Sequence, residues 1–361
     1  FLCANVSQCR TKLVALPERA DAIVRLDNPY FTLVEEERIL PLQKGANQVD
    51  FSWAGVNIDS DSICIKILDH PEQVNIVSVS YPPDENALVW QIYSPSAYEE
   101  KIRISYLLRN IDRLITYKAI ANRQETNVVL QSFLVLRNFS GEDFSLAKIL
   151  LDYGETFEKP ISHEETMQML LFTRQNVPIE KNLTFDARIL PWNPEKVQGN
   201  VGIPVSYVIK NDKKSGLGEF GLWDGKARIF QDDGYGSTIF LGEDNAVFTP
   251  VGGKFSLYVG DSRDIVITQR KMKDIKINVS KNIHNVIVLY DTDEIMQIDI
   301  ENFKDASANL IIIENIPGQW DMEEASYTYE KDDANTLKFN MNLLPKAKQT
   351  ITYHYHRRNV R

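Results

Sequence analysis

Apolar and polar residues alternate along most of this chain, and the clearest run covers residues 127–154, NVVLQSFLVLRNFSGEDFSLAKILLDYG. Val129, Gln131, Phe133, Val135 and Arg137 alternate with Val128, Leu130, Ser132, Leu134 and Leu136. That is the period of a strand with one almost wholly apolar face. Ser140-Gly141-Glu142-Asp143 then supplies turn chemistry, glycine for positive φ and Ser and Asp to bond nearby backbone, before a second strand at 146–151. A shorter echo starts at Ile298, IDIENFKDASANLIIIEN, where a strand again meets Asn-Phe, a polar turn and an apolar strand.

The same alternation predicts short strands at 22–26, 31–40, 48–53, 62–68 and 74–79, then at 87–93, 101–108 and 114–121. Further strands follow at 202–210, 225–230, 238–241, 255–260 and 264–270. Tyr81-Pro82-Pro83-Asp84-Glu85-Asn86 reads as a linker, because Pro-Pro removes donors and stiffens the backbone. Residues 155–200 break the pattern. Ser162-His163-Glu164-Glu165 has capping-box spacing, and Met167, Leu170 and Leu171 follow at helical spacing, which predicts one short helix with Met167 and Met169 as packing residues. Residues 178–194 read as a loop-rich or extended arm.

From about Ser262 the spacing matches an immunoglobulin-like sandwich, with strands at 264–271, 285–290, 294–302, 308–313, 326–330, 336–341 and 349–356. The resulting expectation is an all-β, mainly antiparallel, multi-module sandwich. Its modules are 1–85, an N-terminal β module with a polar lead-in; 86–261, a central sandwich with a loop and helix insertion at about 155–200; and 262–361, the immunoglobulin-like module.

Composition narrows the function. The 361 residues are 43% hydrophobic and 25% charged, ordinary for a globular protein with a sizeable core. The net charge of −10 argues against a sequence-independent grip on nucleic acid, and the terminal Arg357, Arg358 and Arg361 are too few to reverse it. No apolar run reaches the roughly 20 residues of a membrane helix. Cys3 and Cys9 could close a small loop in an oxidising compartment, and Cys64, in an alternating run, is expected as a buried thiol. The start, Phe1-Leu2-Cys3-Ala4, lacks the cationic and apolar regions of an export signal, so a mature form or a trimmed boundary is expected.

Several stretches resemble the mucoidy inhibitor A-like group of uncharacterised bacterial envelope proteins. They are EEERILPLQKGANQVDFSWAGVNIDSDSICIKIL, ISYLLRNIDRLITYKA, LVLRNFSGEDFSLAKILLDYG, YVGDSRDIVITQR, the Asn-Phe hairpin, IENIPGQW and the Tyr-rich final strand. The likeness covers the chain from about residue 20 and rests on turns and strands. Arg113 stands where the group usually has an aromatic, and residues 69–86 hold a short link where many members carry a long coiled coil. The resemblance implies export to the periplasm or cell surface and a β-sandwich build, and it carries no functional residue across.

Candidate chemistry is sparse. Asp232-Asp233-Gly234 with Glu243-Asp244 offers oxygen ligands for Ca²⁺ but lacks a hand-loop spacing, and an acidic solvated turn is the stronger reading. His354 and His356 share one strand face without a visible third ligand. Lys213-Lys214-Ser215-Gly216-Leu217-Gly218 is a surface turn that lacks a phosphate-loop ending, and the 271–276 lysine run reads as a solvated face. His70, His163 and His284 are scattered, and no nucleophile elbow is present. No catalytic, cofactor or metal residue is therefore assigned. The expected role is a non-enzymatic assembly or interaction component with other proteins as partners, including self-association through sheet edges. Alternatives are a carbohydrate-binding or carbohydrate-processing protein using Trp192, Trp223 or Trp320, and a Ca²⁺-dependent adhesion module.

Overall fold

A computed structural model describes residues 12–28, 30–151, 156–189 and 202–361. Cys3, Cys9 and Trp192 lie outside the described residues. The described residues are 66% strand and 2% helical, so the all-β class holds, with mostly antiparallel sheets. In chain order the strands are β1 (Lys12–Val14), β2 (Asp21–Arg25), β3 (Thr32–Leu42), β4 (Gly45–Ser52), β5 (Cys64–Ile67), β6 (Asn75–Ser80), β7 (Ala87–Ser94) and β8 (Tyr98–Leu108). There follow β9 (Ile111–Ala121), β10 (Asn127–Asn138), β11 (Phe144–Leu150), β12 (Thr156–Ile161), β13 (Glu165–Pro178), β14 (Glu180–Asp186), β15 (Ile203–Lys210), β16 (Gly225–Asp232) and β17 (Thr238–Ala246). The last are β18 (Lys254–Ser262), β19 (Ile265–Lys281), β20 (Ile287–Asn302), β21 (Ala308–Asn315), β22 (Gln319–Ala325), β23 (Glu330–Lys331), β24 (Thr336–Leu343) and β25 (Lys348–Val360).

The chain divides into two compact units, 1–114 with 133–170, and 115–132 with 171–361. Neither is a consecutive stretch, so the boundaries expected at 85 and 261 both fall inside a unit. Tyr81-Pro82-Pro83-Asp84-Glu85-Asn86, expected as a linker, connects β6 to β7 within one antiparallel hairpin.

The first unit holds the sheets β1-β4-β7-β6 and β12-β11-β2-β3-β8-β5. Phe51 on β4 packs against Trp90 on β7 and Tyr106 on β8, with ring centroids 5.6 and 6.0 Å apart, so the inner faces of both sheets share one core. β10 alternates as its sequence predicts: Val128, Leu130, Ser132, Leu134, Leu136 and Asn138 are all buried. The turn after it is bound from inside. Buried Asn138 accepts through Oδ1 from the Ser140 N–H and donates through Nδ2 to the Glu142 carbonyl. Gly141, at φ +87°, has no room for a side chain, since a Cβ there would lie 2.0 Å from the Gly55 carbonyl oxygen. Arg113, on β9, donates to the Leu26 carbonyl.

The expected helix at 162–171 is absent. Glu164 sits at φ +63° and closes a turn in which the Ser162 N–H donates to the Glu165 carboxylate, so the capping-box spacing is spent on a turn. β13 then runs as a strand beside β10, with Met169, Phe172 and Val177 buried. Backbone hydrogen bonding to a waiting strand overrides local helical spacing. Part of the expected loop-rich arm is β14, which pairs in parallel with β21.

The second unit contains the sheets β18-β15-β14-β21-β24-β23 and β19-β20-β25-β22. Their inner faces form one cluster that includes Phe185, Val205, Ile267, Ile298, Ile312, Phe339 and Tyr353. β14, β15 and β18 thus bring residues from before position 262 into this sandwich. Two strands expected separately, 285–290 and 294–302, are the single strand β20, and the strand expected at 326–330 is replaced by β22 and β23. The Asn-Phe echo is structural: buried Asn302 accepts from the Lys304 N–H and donates to the Ala306 carbonyl, the same two offsets that Asn138 uses.

Candidate interaction surfaces

The residues singled out for chemistry are occupied by the fold's own bonds. Asp232 accepts from the Gly234 N–H, and Asp233 from the N–H groups of Tyr235 and Ser237, so both carboxylates stabilise the β16–β17 turn. Glu243 is held by Lys226 and Arg228, and the Lys226 ammonium first of all keeps it below the usual carboxylate range. His354 and His356 do share a face of β25, but their Nε2 atoms meet Asp293 and Asp291 respectively. Lys273 also pairs with Asp293 and is the main cause of that carboxyl's lowered pKa. No group of three or more metal-ligating side chains exists among the described residues.

Trp320 is 7% exposed and donates from Nε1 to the Ala334 carbonyl, closing the end of the second sandwich. Trp223 is half-buried, and its carbonyl accepts from the Tyr117 hydroxyl. Cys64 corrects an expectation: it is exposed, because the inward positions of β5 are Ile65 and Ile67. The Lys213-Lys214-Ser215 turn is capped by Asp212, whose side chain accepts from the Ser215 N–H.

A groove of about 590 Å³ in the first unit is lined by Arg19, Asp21, Glu35, Glu37, Arg103 and Lys148 among others. Most of its charge is already matched across strands: Glu37 pairs with Lys101 and Arg103, Glu35 with Arg25, and Arg19 with Glu36 and Glu142. Such a surface offers a ligand little unmatched charge.

What stands out instead is unburied aliphatic surface on two edge strands. The first is the arm made by the distal half of the β19–β20 hairpin. β19 ends its sheet, and its register with β20 continues from the core pair Ile267–Ile300 out to Lys281–Ile287. Beyond Lys271 no residue of β19 is buried, although Thr292 and Glu294 opposite it on β20 still are. Met272, Ile275, Val279, Val286, Ile287 and Val288 are exposed, and Ile283 at the apex is 95% exposed. The arm is nevertheless ordered by its own bonds. Asn282 accepts from the N–H groups of His284 and Val286, Asn278 donates to Asp291, and the Lys276 ammonium lies 4.3 Å from the Tyr290 ring centre. Across its two paired strands, from Lys271 to Met296, the arm carries four lysines and four carboxylates, and Lys271 pairs with Asp274 and Glu294 and Lys273 with Asp293.

The second surface is β6, which ends the sheet β1-β4-β7-β6. All six of its residues are exposed, including Ile76, Val77 and Val79, and Tyr81 and Tyr93 stand open beside it. The approach to β6 is pinned. Buried Glu100 accepts from the N–H groups of Asp69 and His70 at 3.0 Å each and meets His70 Nδ1 at 2.8 Å, while Tyr98 stacks on the His70 ring. The surrounding stretch, 69–100, contains Asp69, Glu72, Asp84, Glu85, Glu99 and Glu100 and no lysine or arginine.

Alternation marks β6 and the stretches 264–271 and 285–290, but no strand is expected over 272–284, where β19 continues to Lys281. The alternation alone does not give the place where the facing sheet ends, which is what leaves the residues bare. Comparison with known families finds no family model that matches the chain, and comparison with curated proteins finds no match.

Proposed function

We propose that this chain is a non-enzymatic assembly or protein-interaction component of the bacterial envelope or another extracytoplasmic complex, acting through its sheet edges. The observation that supports this most directly is the β19–β20 arm. Its aliphatic residues face water on a ribbon that its own turn and side-chain bonds hold in shape. A contiguous exposed apolar surface of this kind marks an interaction site, and a free strand edge adds main-chain donors and acceptors for a partner strand. The envelope setting rests on the resemblance carried by residues such as the LVLRNFSGEDFSLAKILLDYG hairpin.

The test is capture from envelope extracts with the intact chain and with an Ile283→Asp, Val288→Asp variant. The expected result is a stoichiometric protein partner, a second copy of the chain included, that the variant no longer holds. Equal recovery by both chains, or binding to glycans alone, would overturn the reading.

A further inference from the structure

We infer that the apex of the β19–β20 arm inserts into the interfacial layer of an anionic lipid surface. This goes beyond the interaction reading above: a partner strand takes an edge of the ribbon, whereas a lipid layer surrounds its end. Three observations select this occupant. The first is that the ribbon is bare on both faces. Ile287 and Val288 are successive residues of β20 and both are exposed, and successive side chains of a strand point to opposite faces. A strand added at one edge, or a sheet packed on one face, leaves the other face in water; a lipid layer covers both. Ile283 leads at 95% exposure, with Val279 and Val286 four and three residues away and so within roughly 15 Å of it. Amphipathic segments lie at a depth of about 5–10 Å in such a layer.

The second is the backbone of the turn. The Asn282 N–H donates to the Val286 carbonyl and the Asn285 N–H to the Asn282 carbonyl, while the Asn282 side chain accepts from the N–H groups of His284 and Val286. The donors of Asn282, His284, Asn285 and Val286 are thus bonded within the turn. A pairing strand needs donors left free, whereas entry into a layer poor in water requires them satisfied. The third is how charge divides along the arm. At its root Lys271 and Lys273 are matched by Asp274, Glu294 and Asp293. From Ile275 to Tyr290 the chain has Lys276 and Lys281 and no carboxylate, and neither lysine pairs with an acid among the described residues. The nearest acids, Asp274 and Asp291, lie behind the contact of the Lys276 ammonium with the Tyr290 ring. Ammonium groups reach headgroup phosphates while their stems stay against apolar surface, and tyrosine favours the same level.

Co-sedimentation of the purified full chain with vesicles tests this, using phosphatidylcholine alone and phosphatidylcholine with about 30% phosphatidylglycerol, at about 0.05 M and about 0.5 M salt. The wild-type chain binds the anionic vesicles about tenfold or more tightly than the neutral ones, and salt removes most of that preference. Ile283→Ser with Val286→Ser, both exposed positions, weakens binding to the anionic vesicles about tenfold without changing the unfolding midpoint. Lys276→Gln with Lys281→Gln abolishes the preference for anionic lipid. Ile76→Ser with Val79→Ser on β6, equally bare but remote in sequence, leaves vesicle binding as in the wild type.

The inference is overturned if the wild-type chain stays in the supernatant with both vesicles, or if the apex variant binds as the wild type does. It is also overturned if the β6 variant loses vesicle binding as fully as the apex variant, which would make the effect one of general stickiness. Where no vesicle is bound but Ile283→Asp, Val288→Asp still releases a captured protein, the inference falls and the interaction reading stands. Where vesicles are bound through the apex and envelope extracts yield no protein partner, the interaction reading falls and the inference stands.

Discussion

β19 and β20 form one continuous ribbon with two different fates. In the proximal half, Ile265, Ile267, Met296, Ile298 and Ile300 are buried against the facing sheet, and Gln269 reaches into the core. In the distal half, equally apolar residues at 275, 279, 283 and 286–288 stand in water. The distal half gains lysines and asparagines, but its apolar residues are as numerous and as strand-prone as those before Lys271. What changes is whether a second sheet lies opposite, so burial here is set by the partner layer rather than by local sequence. The two halves should therefore respond oppositely to the same kind of substitution.

The largest contrast is thermodynamic. Ile298→Ala removes a fully buried side chain from the proximal half and is expected to cost about 2–5 kcal/mol, through lost transfer energy and the cavity left behind. Urea denaturation with an unchanged m-value measures it. A cost under about 1 kcal/mol would mean that the two-sheet core is not close-packed at this point.

The halves also treat carboxylates differently. In the proximal half Gln269 donates to Glu314, which is buried beside the Tyr353 hydroxyl with Asp186 also close enough to act on it. Burial first, and the Asp186 charge second, push the Glu314 carboxyl up from 4.5 to about 7 against the pull of the two hydrogen bonds. In the distal half Asp291 is held low, by Asn278 first and then by the Asn359 N–H and His356. For Glu314 the native state keeps its proton up to about pH 7, while the unfolded chain releases it near 4.5. Between those values the unfolded state binds fewer protons, so stability falls as pH rises through this window and is flat outside it. The loss is on the order of 3 kcal/mol, from about 1.4 kcal/mol per pH unit. Urea midpoints at several pH values should show this slope in the wild type and its absence in Glu314→Gln. An equal slope in both chains would assign it to other groups.

How far the sequence foretold the molecule follows from the same contrast. Period-two alternation located most strands, and the Asn-Phe echo proved to be one device used twice, at Asn138 and Asn302. The helical spacing at 162–171 misleads because a capping-box spacing also serves a turn when Glu164 adopts positive φ. Cys64 lies on the outward face against expectation, because Ile63, Cys64 and Ile65 are all compatible with an inward position and only the register with β8 chooses Ile65. The lysine run from 271 is solvated only in part, since Lys276 is exposed but the Lys271 side chain is 19% exposed and pairs with buried Glu294, and the run alone says nothing of the bare aliphatics beyond it. The echo itself gives the next prediction. Asn302→Ala leaves the carbonyls of Ala306 and Leu344 and the Lys304 N–H without their partner and is expected to cost about 1–3 kcal/mol. Asn138→Ala should cost a similar amount, read from the same denaturation curves, and a large disparity would show that the two turns only look alike.

The smallest effect is expected at the apex of the arm, and it is the sharpest check on the contrast. Ile283 is 95% exposed, so the chain gains almost no transfer energy from it and loses none when it is shortened. The turn around it is held by Asn282 through backbone N–H groups, which Ile283→Ser leaves in place. The substitution is therefore expected to shift unfolding free energy by less than about 0.5 kcal/mol, against several for Ile298→Ala on the same strand pair. The measurement must be made on dilute chain, because self-association would stabilise the wild type by mass action and lend Ile283 a cost that belongs to the contact. A cost above about 1 kcal/mol that persists on dilution would mean that the apex is covered within a single chain, and the arm would then be part of the fold rather than a surface left for a partner.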